Sequence, residues 1–288
     1  MNLSVIIVSY KSEKLLKRLL YVIPTRYQIT IIENSLLQKT KENIEKKFNN
    51  TKVIIPSKNL GYATAVNLAF NSCKNNFILM ITPDVKITKK MILRLEKFIK
   101  KFQKFTLLAP VYKNKKIHKN YDLLNSNNNT IKIYGHNLLK VKEIDGCFML
   151  LNKKKLKRTN PLDGNYFLYF ETTDFCYNLI KKKHKLYVIK ELKFEHLGTN
   201  SSDQKYKYHI NLNRNWHYSW SKFYFFKKNF NYIYAVKKII PNIYQGLIGI
   251  IISTFKLNFN EVNLHLASIM GSINAIIFRK PYYRPKIK

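Results

Sequence analysis

Acidic residues are scarce in this chain: 16 Asp and Glu stand against 52 Lys and Arg, a formal net charge of +36 over 288 residues. Cysteine is scarcer still. Cys73, Cys147 and Cys176 lie far apart and are odd in number, which leaves no CxxC pairing and no metal-ligand spacing. That usage is expected of a reduced, cytosolic compartment. The N-terminus opens almost directly on a strand and lacks the basic n-region and cleavage site of a secretory signal, which argues against export. No internal repeat is present. Hydrophobic residues are not lacking: at 46% they can bury a substantial core, which excludes disorder across the whole length.

The positive charge has three readings: nucleic-acid binding, attraction to an anionic membrane, or a Lys/Ile/Asn-rich bias with no specific partner. Its distribution helps to separate them. From Gln204 to Lys288 there are 14 Lys or Arg and one acid, Glu261, interleaved with Tyr, Phe, Trp and Ile. Basic and aromatic residues together can stack on RNA bases. The same region, however, holds 17 residues without a charge, Ile239 to Phe255, between Lys238 and Lys256. Leu266 to Phe278 is a second uncharged stretch, followed by Arg279 and Lys280. Membrane-surface segments need such aliphatic runs, and nucleic-acid surfaces do not. Pro241, Asn242 and Gln245 interrupt the first run, which is at the lower length limit for a span. It reads as interfacial or shallowly inserted, with a buried core helix as the alternative.

The first hundred residues alternate between strand and helix patterns. Leu3 to Val8 is a continuous apolar run, as in a strand buried on both faces. Ser12 can cap a helix whose Leu15, Leu16, Leu19 and Leu20 keep helical spacing. Strands follow at Ile29–Ile32, Val53–Ile55, Phe77–Ile81 and Leu107–Val111. Between them lie helices near Lys39–Phe48, Tyr62–Ser72 and Lys89–Lys101. This rhythm predicts a parallel sheet with helices on both faces, whose ligands bind beyond the carboxyl ends of the strands. Ser9-Tyr10, Glu33-Asn34-Ser35, Ser57-Lys58-Asn59 and Thr82-Pro83-Asp84 therefore form the expected rim. Lys113 to Thr130 is polar and reads as a mobile loop. Ile144 to Asn152 reads as one strand, Asp163-Gly164 as a turn and Leu186–Ile189 as a strand. The composition shifts near Ser202.

Several rim residues carry chemistry. Asp84, directly after an apolar strand, can reach Mg2+ or Mn2+, which take one or two carboxylates plus phosphate oxygens; the alternative is an Asp opening a turn. Glu33-Asn34-Ser35 can hydrogen-bond a base or ribose, or be ordinary turn chemistry. Gly61, in Asn59-Leu60-Gly61-Tyr62-Ala63 with Asn67 beyond, allows close backbone approach at a helix start, where free N–H groups favour phosphate or sugar oxygens. This is not a P-loop, because the Lys-Ser/Thr pair is missing. His196-Leu197-Gly198, followed by Ser201 and Ser202, is either structural or a ligand joining Asp84 near a diphosphate. Tyr166 to Tyr177, YFLYFETTDFCY, sets Glu171 and Asp174 in an aromatic wall. Burial there raises a carboxylate pKa and prepares a general base; the alternative is that both acids complement a helix dipole.

The ordered segments VIIVSY, IIENS, NLGYATAVN, TPDV, DGCFML, DGNYFLYFETTDFCY and FEHLGTNSS resemble glycosyltransferase family 2, and within it the bacterial rhamnosyltransferase-like group. The resemblance covers about residues 1 to 205, and SKFYFFKK and YYRPKI resemble the tail of those proteins. It implies an α/β GT-A fold (Rossmann-like, mostly parallel) over residues 1–205 and a helical basic, aliphatic appendage over 206–288. By position, Ser9, Tyr10, Glu33 and Ser35 line the nucleotide pocket, and Asn59, Gly61 and Asn67 lie around nucleotide and sugar. Asp145 and Gly146 meet donor sugar or acceptor, and Asp84 and His196 stand near metal and diphosphate. Thr82 replaces the usual Asn of the metal motif.

The family's Glu-Asp-x-Asp helix motif reads Glu171-Thr172-Thr173-Asp174 here, with Asn178 in place of Arg. The residue usually credited as base is thus Thr172, which leaves Glu171, the slightly favoured choice, or Asp174 to take the proton. The expectation is a metal-dependent inverting transferase at the inner face of the cytoplasmic membrane. Its donor would be a nucleotide-diphospho-sugar such as dTDP-rhamnose, its acceptor a glycan or lipid-linked molecule, and nucleic acid no partner. The alternative is a scaffold that lost its base and holds nucleotide or membrane. A nucleotidyltransferase on the same sheet lacks a basic signature loop after the first strand.

Overall fold

A computed structural model of the protein describes residues 3–113, 119–125, 130–156, 159–198 and 206–284. Ser201, Ser202 and the proposed boundary after residue 205 lie outside them. The chain forms two compact units. The first comprises Met1–Leu60, Thr64–Leu162 and Thr172–Ser202; the second Gly61–Ala63, Asp163–Glu171 and Asp203–Lys288.

The first unit is built on strands β1 (Leu3–Ser9), β2 (Gln28–Glu33), β3 (Thr51–Ile54), β4 (Phe77–Ile81), β5 (Val85–Lys86), β6 (Leu107–Tyr112), β7 (Tyr121–Leu123), β8 (Thr130–Ile133), β9 (His136–Ile144), β10 (Phe148–Asn152) and β11 (Leu186–His196). Their order is β3-β2-β1-β4-β10-β6-β11-β9-β7, with β5 on β11 and β8 on β9. The pairs β3-β2, β2-β1 and β1-β4 are parallel, as the alternating pattern predicts. Val5, Ile7, Ile29, Ile31 and Leu79 fill the core from these strands. Helices α1 (Glu13–Val22), α2 (Gln38–Glu45), α3 (Gly61–Ser72), α4 (Lys89–Lys101) and α5 (Glu171–Lys181) follow the strands. Helix α1 buries Leu16, Leu19 and Leu20, and α4 buries Met91, Ile92, Leu95, Phe98 and Ile99 at helical spacing. Thr88 caps α4 by accepting from Met91 N at 3.2 Å.

Four local expectations need correction. Ser12 precedes α1 but makes no side-chain cap; its hydroxyl pairs with Ser9 Oγ at 3.0 Å. The segment 113–130 contains β7, which pairs with β9 and is more than a loop; residues 114–118 and 126–129 are outside the described residues. Ile144 to Asn152 is two strands, because the chain turns at Asp145–Cys147 between β9 and β10. Strand β11 runs on past Ile189, through a register shift before Lys193, to His196. The antiparallel β10, inserted between β4 and β6, makes the sheet mixed.

The second unit contains α6 (Lys207–Asn229), α7 (Tyr232–Phe255) and α8 (Phe259–Ile276), which pack on one another around Trp216, Trp220, Phe223, Ala235, Ile239, Ala267 and Ala275. By length and composition α7 could cross a membrane; 17% of its most apolar stretch is buried, although Ala235 and Ile239 belong to the core. The unit also holds Gly61, whose φ is +74° and whose added Cβ would stand 2.3 Å from the Phe167 carbonyl oxygen. Tyr62 N donates to that oxygen at 2.8 Å. Gly61→Ala would meet both strain and a backbone clash. It should cost more than about 1 kcal/mol of stability, read as a lower urea midpoint; an unchanged midpoint would contradict this packing.

Candidate active site

Strand ends β1 and β2 meet in register, with Ser9 beside Glu33. Asn34 N donates to Ser9 O at 2.8 Å. Lys11 and Leu36 have φ of 48° and 63°, so the chain leaves both strands through left-handed residues. The turn is tied inward: Ser35 N donates to Glu33 Oε1 at 2.9 Å, the Ser35 hydroxyl donates to the same oxygen, and Lys11 N donates to Ser35 Oγ at 3.2 Å. Asn34 Oδ1 accepts from Leu60 N at 3.3 Å, just past the half-buried Asn59. Tyr10 is half-buried beside Ser9. Glu33 is 1% exposed, and its other oxygen, Oε2, is buried with no hydrogen-bond partner among the described residues. A buried acceptor left open at the carboxyl edge of a sheet suits an N–H or O–H donor from a ligand.

The second cluster is made by the antiparallel pairing of β5 with the end of β11, which places His196 opposite Val85. Leu197 N donates to Asp84 O at 3.1 Å. Asp84 Oδ2 then stands 3.0 Å from His196 Nε2, and Thr82 Oγ1 donates to Oδ1 at 2.5 Å. Burial pushes the Asp84 carboxyl upward, but the His196 ring and the Thr82 hydroxyl hold it below its ordinary value, so it stays ionised. The two predicted metal residues are therefore brought together. No group of three or more His, Cys, Asp or Glu suited to a metal occurs among the described residues. One carboxylate and one imidazole fit a cation that draws its remaining ligands from phosphate oxygens and water, as Mg2+ or Mn2+ does, and do not fit a closed protein cage.

Tyr112, at the end of β6, joins this cluster and was not singled out from sequence. Its hydroxyl lies 2.9 Å from Asp145 Oδ2, 3.3 Å from Cys147 Sγ and 3.3 Å from His196 Nδ1. Its ring stacks on His196 with centroids 5.8 Å apart. Burial, then the neighbouring thiol and carboxylate, push its pKa far upward, so it remains a neutral donor. The rule that ligands gather beyond strand carboxyl ends would have pointed to it.

Asp145-Gly146 forms the turn between β9 and β10, and a Cβ at Gly146 would lie 2.6 Å from Thr172 Cγ2. Thr172 thus packs on the Asp-Gly turn. Thr173 Oγ1 donates to Glu143 Oε1 at 2.6 Å, and burial raises the Glu143 pKa. Asp174 is 3% exposed, and Asn178 Nδ2 returns to its backbone oxygen at 2.8 Å.

Glu171 begins α5, one peptide bond from Thr172. Burial raises its pKa from 4.5 to about 7, and Oε2 has no hydrogen-bond partner among the described residues. A residue serving only as a solvated helix-end acid would not be buried this way.

Two expected ligand residues make close contacts within the protein. The Asn67 amide clamps the backbone of Leu162, Nδ2 donating to O at 2.7 Å and Oδ1 accepting from N at 3.0 Å. The close approach at Gly61 is to Phe167.

Comparison with known proteins bears on this geometry. The sequence profile described as glycosyl transferase family 2 matches residues 4–159. The low-salt glycan biosynthesis hexosyltransferase Agl10 of Haloferax volcanii is 23% identical over 189 residues, 61% of this chain. The chain spans only 61% of that relative's length. A mannosyltransferase from Pyrobaculum calidifontis, solved with GDP-Man and Mn2+, superposes with a TM-score of 0.57 at 10% identity, over 95% of this chain and 86% of that one. TarS 1–349 of S. aureus does so with a TM-score of 0.54 at 14% identity, over 99% and 93%. At these identities the likeness is one of fold, the GT-A fold. The profile, by contrast, spans more than half of the chain, and the protein belongs to glycosyl transferase family 2.

Proposed function

We propose that the protein is an inverting glycosyltransferase that moves a hexose from a nucleotide-diphospho-sugar to a hydroxyl of a lipid-linked or cell-surface glycan. The motif resemblance favours rhamnose, with dTDP-rhamnose as donor, and the basic, aliphatic helices favour work at the inner face of the cytoplasmic membrane. The observation that carries the reading is the Asp84–His196 pair, held at the strand ends of a family 2 chain.

In this reading Glu33, Ser35 and Ser9 hold the nucleoside, and the open Glu33 Oε2 accepts a base or ribose donor. Asn59 and Tyr10 flank it. Asp84 and His196 would hold Mg2+ or Mn2+, which supplies charge neutralisation for the departing diphosphate; the P. calidifontis neighbour was solved with Mn2+. Tyr112 fixes the His196 ring and the Asp145 carboxylate, and Asp145 with Gly146 meets the sugar or acceptor. Glu171 takes the proton of the attacking hydroxyl, with its pKa of about 7 suited to a base near neutral pH. Asp174 is the alternative base.

A second reading, a transferase scaffold that lost its base and retains nucleotide or membrane binding, is favoured by one observation. Thr172 occupies the family's base position and is packed against Gly146.

Release of nucleoside diphosphate from a panel of nucleotide-sugars, including dTDP-rhamnose, with Mn2+, Mg2+ or chelator, separates the two. Turnover excludes the scaffold. Asp84→Ala should lower turnover about 10²-fold or more, and full retention would sink the metal assignment.

Glu171→Gln should reduce kcat by roughly 10²–10⁴, and kcat/KM of the parent should rise with pH and level off above about 7. Near-parent rates in both Glu171→Gln and Asp174→Asn would reject the carboxylate base. Stability gives an independent check. The folded protein keeps a proton on Glu171 that the unfolded chain loses from pH 4.5 upward, so stability falls as pH rises from about 4.5 to about 7 and is level beyond. The loss is on the order of 3 kcal/mol. Glu171→Gln should flatten this slope in urea titrations at pH 4.5 and 8.

A further inference from the structure

Helices α7 and α8 are antiparallel and tightly apposed. A Cβ at Gly246 would lie 2.7 Å from Ile269, one at Gly249 2.3 Å from the His265 ring, and Ser253 Oγ donates to Glu261 Oε2 at 3.2 Å. On the α7 side this contact is made by small residues, Gly246, Gly249 and Ser253, which meet Ile269, His265 and Glu261 of α8, while Gly271 of α8 lets the backbone of Trp216 in α6 come close. Ile239 and Ile269 are buried, and many of the other large aliphatic residues are exposed. Ile240, Leu247, Ile248, Ile251, Ile252 and Phe255 of α7 are exposed, Ile251 at 57% and Phe255 at 87%. Met270 and Ile273 of α8 continue the same exposed character.

A helix pair surrounded by water has the opposite arrangement. Small residues at the contact and aliphatics outside suit helices whose surroundings are hydrocarbon.

Cations stand at both ends of this surface. Lys237 and Lys238 are near the start of α7, Lys256 is at its end, and Arg279 and Lys280 follow α8; all five are exposed. From 239 to 280 the sole acid is Glu261. Helix α6 covers another side of the pair, with Ser219 Oγ 2.7 Å from Ser268 Oγ, Lys222 Nζ 2.7 Å from Asn242 Oδ1, and Tyr208 OH 2.9 Å from Asn263 Nδ2. It carries Lys207, Arg214 and Lys222 along its length. A transmembrane α7 would draw these charges into hydrocarbon at high cost. An in-plane pair leaves them in water.

We propose that the exposed face of the α7–α8 pair lies in the plane of an anionic lipid bilayer, its aliphatic side chains in the acyl–headgroup boundary and its terminal lysines and arginine on the anionic headgroups. This deepens, and rests on, the reading of the protein as an enzyme at a membrane surface. Interfacial helices bind through buried apolar area and attraction to anionic lipid together.

The test is flotation of the full chain with phosphatidylcholine–phosphatidylglycerol vesicles, against pure phosphatidylcholine vesicles. Binding should favour the anionic vesicles and weaken as salt rises. Ile248→Asp/Ile251→Asp should lower vesicle affinity roughly tenfold or more, with an unchanged circular-dichroism spectrum. An environment-sensitive dye on Ile251→Cys, the native thiols being buried, should shift blue on adding anionic vesicles. Any of three results overturns the proposal: no flotation of the parent, equal flotation of the Asp variant, or no dye shift. A concentration-dependent dimer that the Asp variant abolishes, without vesicle binding, would give the face to a second copy and also overturn it. Nucleoside diphosphate release is measured on the same samples. Its persistence without vesicle binding leaves the transferase reading standing, and its absence with vesicle binding removes that reading alone.

Discussion

The short antiparallel pairing of β5 with the end of β11 is what the rest of the candidate site depends on. It is a two-residue contact, yet it ties the strand that directly follows Asp84 to the strand that ends at His196. Main-chain hydrogen bonds set the spacing, so the carboxylate and imidazole need no long side-chain excursion to meet. Tyr112 then reaches this pair from β6, which runs parallel to β11 with Tyr112 beside Phe194. Three strands therefore converge on a few polar atoms, and a rigid sheet holds them more tightly than loops could.

The scarcity of acids gives their placement physical weight. In a chain of net charge +36, surface cations repel one another, and each buried carboxylate relieves some of that repulsion. Glu96 does so inside the first unit, where it takes hydrogen bonds from Tyr27 and Arg26 and an ion pair from Lys100. Asp163 does so in the second, accepting from Lys228 and Tyr224 while holding the Asn165 turn. Glu171 is the contrast: full burial, with no ion pair to offset it among the described residues, raises its pKa, while hydrogen bonds and cations lower those of Glu96 and Asp163.

Much of the fold was legible because local pattern and tertiary role agree. The apolar runs of β1, β2 and β4 are buried on both sides, and α1 and α4 keep their leucines and isoleucines at helical spacing. The antiparallel additions were harder to read. The second half of β11, LKFEH, mixes charge with apolar residues because its side chains alternate between buried (Leu192, Phe194) and exposed or half-buried positions. The site divided in the same way. Asp84, His196, Glu33 and Ser35 follow from strand ends and motif order. Tyr112 sits in a segment with no distinguishing pattern, and the partner of Asn67 lies 95 residues away, which no local reading reveals.

The close approach of Gly146 and Thr172 links two positions that a sequence presents as independent. The atom that would strike a Cβ at 146 is the Thr172 methyl, Cγ2, at 2.6 Å. Any side chain at 146 therefore requires a different one at 172, and the effects of changing both will not add. Glycine at 146 is thus what lets the Asp145–Gly146 turn close on helix α5 at Thr172.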